Sequence, residues 1–332
     1  MNLSYPKVAI IILNWNGKRD TVECLYSVSQ ISYSNFEVFV VDNGSTDGSA
    51  KTIHDIFPDI HLLAMKENLG FAEGNNVAIR AAAAIPDFEF FLLLNNDTIV
   101  DKDILTAFVD AAKTHPQAGI LGAKIFLYDK RETLDHFGGN WNPRTAKFDL
   151  IGHKEKGTDQ KWDRVQTLDY VCGAALFFKK EVLQKIGVLE KSFFLIWEEA
   201  DFCFRARKAG FAILTAPRAQ VWHKVSASFV GGKPHSAYFW WRNRLLFIKR
   251  NMRGREKLRL QWIVLLPEIF HLAKLKVLKS LQLLLGRPLL KADQIQKKKE
   301  QLLHYNAALQ GIKDYMCGRF GNGPSWIYRK GS

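Results

Sequence analysis

Two apolar runs in this chain stop abruptly on polar side chains, and they constrain the fold more than any other feature. Val38–Val41 (VFVV) runs into Asp42-Asn43-Gly44-Ser45, and Phe91–Leu94 (FLLL) runs into Asn95-Asn96-Asp97-Thr98. Unbroken runs of β-branched and large apolar residues mark strands buried on both faces, as in a parallel sheet covered by helices. Carboxylates and amides at the carboxyl ends of such strands mark the edge where an α/β sheet meets its ligand. Two later segments, Trp197–Arg205 (WEEADFCFR) and Val221–Lys224 (VWHK), add a carboxylate pair and a histidine. Together these supply a base and a metal ligand.

The surrounding periodicity agrees. Strands are expected at Val8–Leu13, Glu37–Val41, Ile60–Ala64 and Phe88–Leu94. Helices are expected at Asp20–Gln30, Asp47–Ile56, Ala72–Ala84 and near Asp103–Thr114. Alternation at this spacing predicts an α/β fold with a Rossmann-like, mostly parallel sheet and helices on both faces. Glycines and Pro143 scattered through residues 126–165 suggest loops or an antiparallel excursion. Beyond them, Leu168–Phe178 reads as strand, Lys180–Ile186 as a helix closed by Gly187, and Ala200–Ala209 as a helix ended by Gly210.

With 332 residues, 47% of them hydrophobic, the chain has ample material for a core. Its net charge of +14 is unevenly placed: residues 1–241 are near neutral, whereas residues 242–300 hold 16 Lys and Arg against four acidic residues. Such a basic stretch calls for an anionic partner, membrane or nucleic acid. From Trp240 the chain reads as helical. Glu268, His271, Lys276, Lys279 and Gln282 fall on one helical side, and Leu266, Ile269, Phe270, Ala273, Val277, Leu281 and Leu284 on the other. That pattern fits an interfacial membrane helix or a helix packed on the protein's own core, and the surplus of Lys and Arg between Arg242 and Arg259 favours the membrane. The four cysteines are dispersed, so a reduced, cytoplasmic residence is expected. Val8–Leu13 reads as a strand, not a signal peptide, and no uncharged apolar stretch is long enough to span a bilayer.

The polar segments admit functional and structural readings. Asp42 can accept hydrogen bonds from a base or ribose, while Asp47 reads as a helix cap. Asn68-Leu69-Gly70-Phe71-Ala72-Glu73-Gly74-Asn75-Asn76 can approach a diphosphate or nucleobase at a helix N-terminus, or simply form a loop and cap. Asp97, emerging from a core strand, is costly to bury without a cation, so a divalent ion bridging it to a diphosphate is favoured over an Asx turn. Glu198, Glu199 and Asp201 open a helix; one carboxylate can serve as general base, and the helix dipole also favours acids there. His223, taken alone, is more often structural than a ligand. Neither GxGxxG nor a P-loop occurs. A nucleotidyltransferase should show a basic phosphate loop after the first strand, where only Lys18 and Arg19 stand. A non-catalytic nucleic-acid binder leaves the carboxylates unexplained.

In this order, VAIIILNWNG, VFVVDNGSTDGS, NLGFAEGNN, FLLLNNDT, CGAALFFKKEVL, WEEADFCFRARKAG and WHK resemble the family-2 glycosyltransferases of the GT-A fold, over roughly residues 7–250. The likeness is greatest to bacterial rhamnosyl- and galactofuranosyl-transferases of cell-surface polysaccharide assembly. It implies an inverting, metal-dependent transfer from a nucleotide-diphosphate sugar, dTDP-L-rhamnose foremost, with galactofuranose, N-acetylglucosamine and glucose as alternatives. The acceptor would be a glycan or a polyprenyl-diphosphate-linked saccharide. By the same resemblance Asp42 contacts the base, with Asn14 and Asn16 in that pocket. Asn68, Gly70, Asn75, Asn95, Asn96, Trp197 and Asp201 line the donor and substrate site. Asp97 and His223 hold Mg2+ or Mn2+, Glu199 is the base and Glu198 its neighbour. The DxD metal motif of the family begins here with Asn95, an amide, and the base position holds Glu where Asp is commoner. Trp222, Trp240 and Trp241 join Trp197 as candidates for sugar stacking. The expected organisation is a nucleotide-sugar half (1–125), an acceptor and catalytic half (126–235) and a basic helical extension (236–332). The enzyme would sit peripherally on the inner face of the plasma membrane, on anionic lipid, as a monomer or an oligomer.

Overall fold

The computed structural model describes residues 5–225, 233–286 and 291–328. They form two compact units, one drawn from residues 5–141, 148–191 and 198–225, the other from 142–147, 192–197 and the described residues beyond 225. In the first unit, strands and helices alternate as expected: β1 (Lys7–Asn14), α1 (Lys18–Val28), β2 (Phe36–Asp42), α2 (Ser49–Ile56), β3 (His61–Ala64), α3 (Gly70–Ala83) and β4 (Phe88–Asn95). Val8 to Ile12 of β1 are wholly buried, as continuous apolar runs require. After β4 come β5 (Thr98–Val100), α4 (Ile104–Thr114), β6 (Ala118–Leu127), β7 (Lys130–Leu134), β8 (Gly138–Asn142), β9 (Lys147–Leu150), β10 (Tyr170–Val171), β11 (Ala175–Lys179), α5 (Lys180–Ile186), α6 (Glu198–Lys208) and β12 (Ala212–His223).

The main sheet has the order β3-β2-β1-β4-β11-β6-β12-β5, with β7 on β6. The β3-β2-β1-β4 half is parallel. β11 then enters antiparallel to both β4 and β6, and β12 runs parallel to β6. The sheet is therefore parallel where helical crossovers connect its strands and mixed beyond β4. Residues 126–165 do make an antiparallel excursion, through β7 and a small β10-β8-β9 sheet. The run read as one strand over Leu168–Phe178 is broken between β10 and β11, where Gly173 lies beside Glu199. α2 begins at Ser49 with Gly48, not the expected Asp47, at the N-cap; Asp47 stands one residue earlier and accepts from the Ser49 backbone N–H at 3.0 Å.

The second unit is helical: α7 (Pro234–Asn251), α8 (Gly254–Arg259), a π-helical stretch Leu260–Leu265, α9 (Leu266–Gly286) and α10 (Ala292–Met316). α7 and α10 pack closely at Gly311, where an added Cβ would lie 2.3 Å from the Tyr238 carbonyl oxygen. Tyr238 Oη also donates to Asp314 at 2.8 Å. Arg244 is fully buried, its charge answered by Glu268 at 2.6 Å and by the carbonyls of Ala146 and Thr145. α9 thus turns its acid, Glu268, toward α7. Its apolar side chains Phe270, Val277, Leu281, Leu284 and Leu285 are exposed, as are Trp262 and Ile263 in the π-helical stretch before it. Among the described residues no helix is long and apolar enough to cross a membrane. Cys24, Cys172 and Cys203 are buried, whereas Cys317 is exposed.

Candidate active site

Register places the polar residues in one row. Asn14 stands opposite Asp42 across β1 and β2, and Leu13 stands opposite Asn95 across β1 and β4. The three strands therefore deliver Asn14, Asp42 and Asn95 to a common carboxyl edge. Asn14 Nδ2 donates to Asp42 Oδ1 at 2.7 Å and to Ser45 Oγ at 3.1 Å. Asn16, at φ +51°, accepts the Thr46 amide at 2.8 Å and so ties the β1 loop to the β2 loop. Asn43 bridges onward, donating to Asn68 Oδ1 at 3.0 Å and accepting the Leu69 amide at 3.0 Å. Gly44 makes that approach possible, because an added Cβ would lie 2.6 Å from the Glu67 carbonyl carbon. The β1, β2 and β3 loops are thus one hydrogen-bonded cradle.

Beyond β4, Asn96 donates to Thr21 Oγ1 at 2.9 Å, and Thr21 in turn donates to Asn14. Asp97 Oδ1 lies 3.2 Å from His223 Nε2, since the end of β12 pairs with β5 directly after Asp97. His223 Nδ1 lies 3.4 Å from Asp135 Oδ2. Burial disfavours a charged imidazole here, yet the hydrogen bonds from Asp135 and Asp97 outweigh it and push His223 up to about 10. Asp135 is desolvated too, but His136 and His223 hold it well below the usual carboxylate range. Lys224, next in the chain, is clamped between Asp20 and Glu23, both at 2.6 Å.

The carboxylate pair reaches this edge through β11. The Asn95 amide donates to the Ala174 carbonyl at 3.0 Å. The adjoining Gly173 faces Glu199, whose Cγ would lie 3.6 Å from an added Cβ. Glu198 is buried, its Oε2 without a hydrogen-bond partner among the described residues. Burial first, and the charge of Glu199 second, hold its carboxyl well above the usual range.

Other expected residues have different places. Asp201 is wholly buried and ion-paired with Arg205 at 2.8 Å, and Arg205 also holds the Ile186 and Val188 carbonyls. It belongs to the core of its unit because an acid one turn before Arg205 on α6 finds its cation there. Asn75 is buried against its own helix, donating to the Phe71 carbonyl at 2.9 Å. Trp197 is buried in an aromatic cluster, 6.3 Å from the Trp240 ring and 5.1 Å from Phe247. Trp222 stacks on Phe126 at 5.9 Å. One residue escaped the sequence reading: Asp135 carries no local signal. Asn76, part of the candidate Asn68–Asn76 segment, instead exchanges hydrogen bonds with the Leu189 backbone at 2.9 and 3.0 Å. A separate cleft of about 450 Å³, lined by Phe88, Phe90, Lys113 and Lys179, lies at the opposite end of β4 from Asn95.

Once His223 gives up its proton to the incoming ion, the donor set suits a hard divalent cation: one carboxylate, one imidazole and Asn95 Oδ1, a buried carbonyl oxygen without a hydrogen-bond partner among the described residues. Among those residues there is no cluster of three or more His, Cys, Asp or Glu placed to hold a metal by themselves. Remaining ligands would have to come from a bound diphosphate.

A sheet whose parallel half ends in amides and carboxylates, and whose mixed half returns a histidine to the same edge, is the GT-A glycosyltransferase fold. The chain belongs to glycosyltransferase family 2: the family model described as "Glycosyltransferase like family 2" matches residues 6–244. It is 30% identical over 209 residues to the low-salt glycan biosynthesis hexosyltransferase Agl10 of Haloferax volcanii, covering 62% of this chain and 63% of that protein. The chain thus spans less than two thirds of Agl10. It is 23% identical over 264 residues to the N-acetylglucosaminyl-diphospho-decaprenol L-rhamnosyltransferase of Mycobacterium tuberculosis, covering 68% of this chain and 83% of that one. Among solved structures, the mannosyltransferase PcManGT of Pyrobaculum calidifontis, in complex with GDP-Man and Mn2+, superposes with a TM-score of 0.55. It is 16% identical and covers 94% of this chain and 88% of its own.

Proposed function

We propose that this glycosyltransferase moves a sugar, L-rhamnose from dTDP-L-rhamnose foremost, onto a hydroxyl of a lipid-linked or glycan acceptor, with inversion. The observation that supports this best is the shared carboxyl edge, where Asn14, Asp42 and Asn95 meet the Asp97–His223 pair. Asp42, with Asn14 and Asn16, would receive the nucleoside; the Asn68–Gly70 turn and Asn96 would complete the donor pocket. Glu199 would take the proton of the acceptor hydroxyl as its oxygen bonds to the anomeric carbon. The bond from that carbon to the diphosphate oxygen breaks, and the nucleoside diphosphate departs with the electron pair. Asp97 and His223 would hold a Mg2+ or Mn2+ ion, which supplies positive charge to the diphosphate oxygens when bound. The rhamnosyl reading leans on the Mycobacterium tuberculosis relative, whose name specifies a polyprenyl-type acceptor.

The acceptor class bears on the basic helices. Arg242 and Arg244 are buried, so the basic residues available to a membrane are the other Lys and Arg of residues 242–300; with the outward apolar face of α9 they support docking on an anionic membrane surface. A screen of nucleotide sugars for donor hydrolysis, with and without Mn2+, tests the transferase reading. One donor should stand clear of the rest and need the ion; a screen in which no donor binds or turns over would end it. For the membrane, Lys274, Lys276 and Lys279 changed together to Glu should free the protein from anionic liposomes while sparing donor hydrolysis. Undiminished sedimentation with those liposomes would count against the docking face.

A further inference from the structure

The segment that leads into the carboxylate pair is strained. Phe194, Ile196 and Trp197 have φ of +63°, +70° and +79°, three left-handed residues in a row of four with no glycine among them. Each such residue is held in an unfavourable conformation, and a β-branched Ile is among the least tolerant of it. Strain of this kind persists only where the surroundings over-determine it.

The surroundings here are two side chains of α7. Asn243 Nδ2 lies within hydrogen-bond distance of three carbonyls: Phe193 at 2.8 Å, Leu195 at 2.7 Å and Ile196 at 2.8 Å. Two amide hydrogens serve three acceptors, so at least one is shared, and the three carbonyls must converge on one point. Arg242 completes the clamp. Its Nη2 donates to the Phe193 carbonyl at 2.7 Å and to the Ser192 carbonyl at 3.3 Å, and its Nε donates to Asn243 Oδ1 at 2.9 Å. That last bond fixes which way the Asn243 amide faces. Both side chains are wholly buried. The next residues in the chain are Glu198 and Glu199.

We infer that Asn243, oriented by Arg242, is a positioning residue: it holds Phe193–Trp197 in the strained path that aims the carboxylate pair. This rests on Glu199 being the base. Without the clamp, Ile196 and Trp197 would relax toward ordinary φ and swing the residues that follow. A displacement of about 1 Å at a reacting group can cost 10²-fold in rate.

The experiment compares Asn243→Ala, Asn243→Ala/Ile196→Gly and Glu199→Gln in acceptor-transfer kinetics, nucleotide-donor binding and hydrogen exchange of the 192–199 backbone. Asn243→Ala should lower kcat by about 10–100-fold, leave donor binding within about two-fold, and speed exchange in 192–199 but not in β1 and β4. Glycine accepts a positive φ without cost, so Ile196→Gly in that background should restore most of kcat. If Asn243→Ala fails to fold, Asn243→Gln, which displaces the amide by one methylene, carries the same expectation for kcat. Parent-like kcat in whichever of the two folds, or no rescue by Ile196→Gly, overturns the clamp. Glu199→Gln separates the two readings: an active Glu199→Gln removes the base, whereas an inactive Glu199→Gln beside a normal Asn243→Ala removes only the clamp.

Discussion

The carboxyl edge of the sheet holds two acidic groups that meet burial in opposite ways. Asp97 and Asp135 flank the imidazole of His223, so each carboxylate has a cation within 3.4 Å and the group can remain charged. Glu198 and Glu199 follow one another at the start of α6; Glu198 Oε2 has no hydrogen-bond partner among the described residues, and burial with its neighbour's charge holds the carboxyl well above its usual range. Charge that is paired suits a role as ligand or electrostatic anchor. A buried carboxyl held above its usual range beside a second carboxylate suits proton transfer. The two ends of one edge are thus prepared for different tasks by what stands beside each acid.

Substituting the base is the hardest blow to this contrast. Glu199→Gln keeps the shape but cannot accept a proton, so transfer should fall by roughly 10²–10⁴-fold with donor affinity little changed. Near-normal turnover would remove Glu199 from the proton-transfer role. At the paired end the readout is metal binding and not rate. Calorimetry should find Mn2+ bound weakly by the free protein and more tightly with nucleoside diphosphate present. Asp97→Ala, which removes a proposed ligand, should weaken that ternary binding by about 10–100-fold. Strong Mn2+ binding by the free protein, unaltered in Asp97→Ala, would contradict the site.

The smallest expected effect concerns stability. A carboxyl whose folded pKa is raised contributes fully below its unfolded value, about 4.3, and that contribution is lost as pH rises through the folded pKa. Glu198→Gln carries no charge to desolvate. Its melting temperature should match the parent's near pH 4 and gain on it by a few degrees toward about pH 8, at about 2–4 °C per kcal/mol. A difference that stays flat across this range would mean Glu198 is not held protonated.

Much of this edge was legible because its determinants are local. β1, β2 and β4 are single buried runs, and their last apolar residue is followed at once by the polar group they deliver, so period and punctuation were enough for Asp42 and Asn95, whereas Asn14 came with the family resemblance. Glu198 and Glu199 were legible as a pair, but not which acid the core would swallow. Asp201 looked equally available until Arg205, four residues on, took it. Asp135 was invisible: it follows a short edge strand in a glycine-rich stretch, and its meaning comes from β12, some ninety residues later. α9 was read as a helix for the membrane or for the protein's own core; Glu268 turns in to Arg244, the buried Leu272 lies on that same side, and Phe270, Val277 and Leu281 are exposed. Long-range pairing, which sequence period does not carry, accounts for Asp135 and α9, whereas the Asp201 partner stands one helical turn away.

The distribution of thiols makes the molecule convenient to watch. Burial before all else pushes Cys24 and Cys203 up to about 12, and Cys172 is shielded as well. Cys317, at the end of α10, is the exposed exception. A maleimide dye or nitroxide offered to the native protein should therefore attach at one position, in a one-to-one ratio, without any cysteine being removed by mutation. The reporter would sit in the helical unit, where quenching by lipid-borne acceptors could follow its approach to a vesicle in real time.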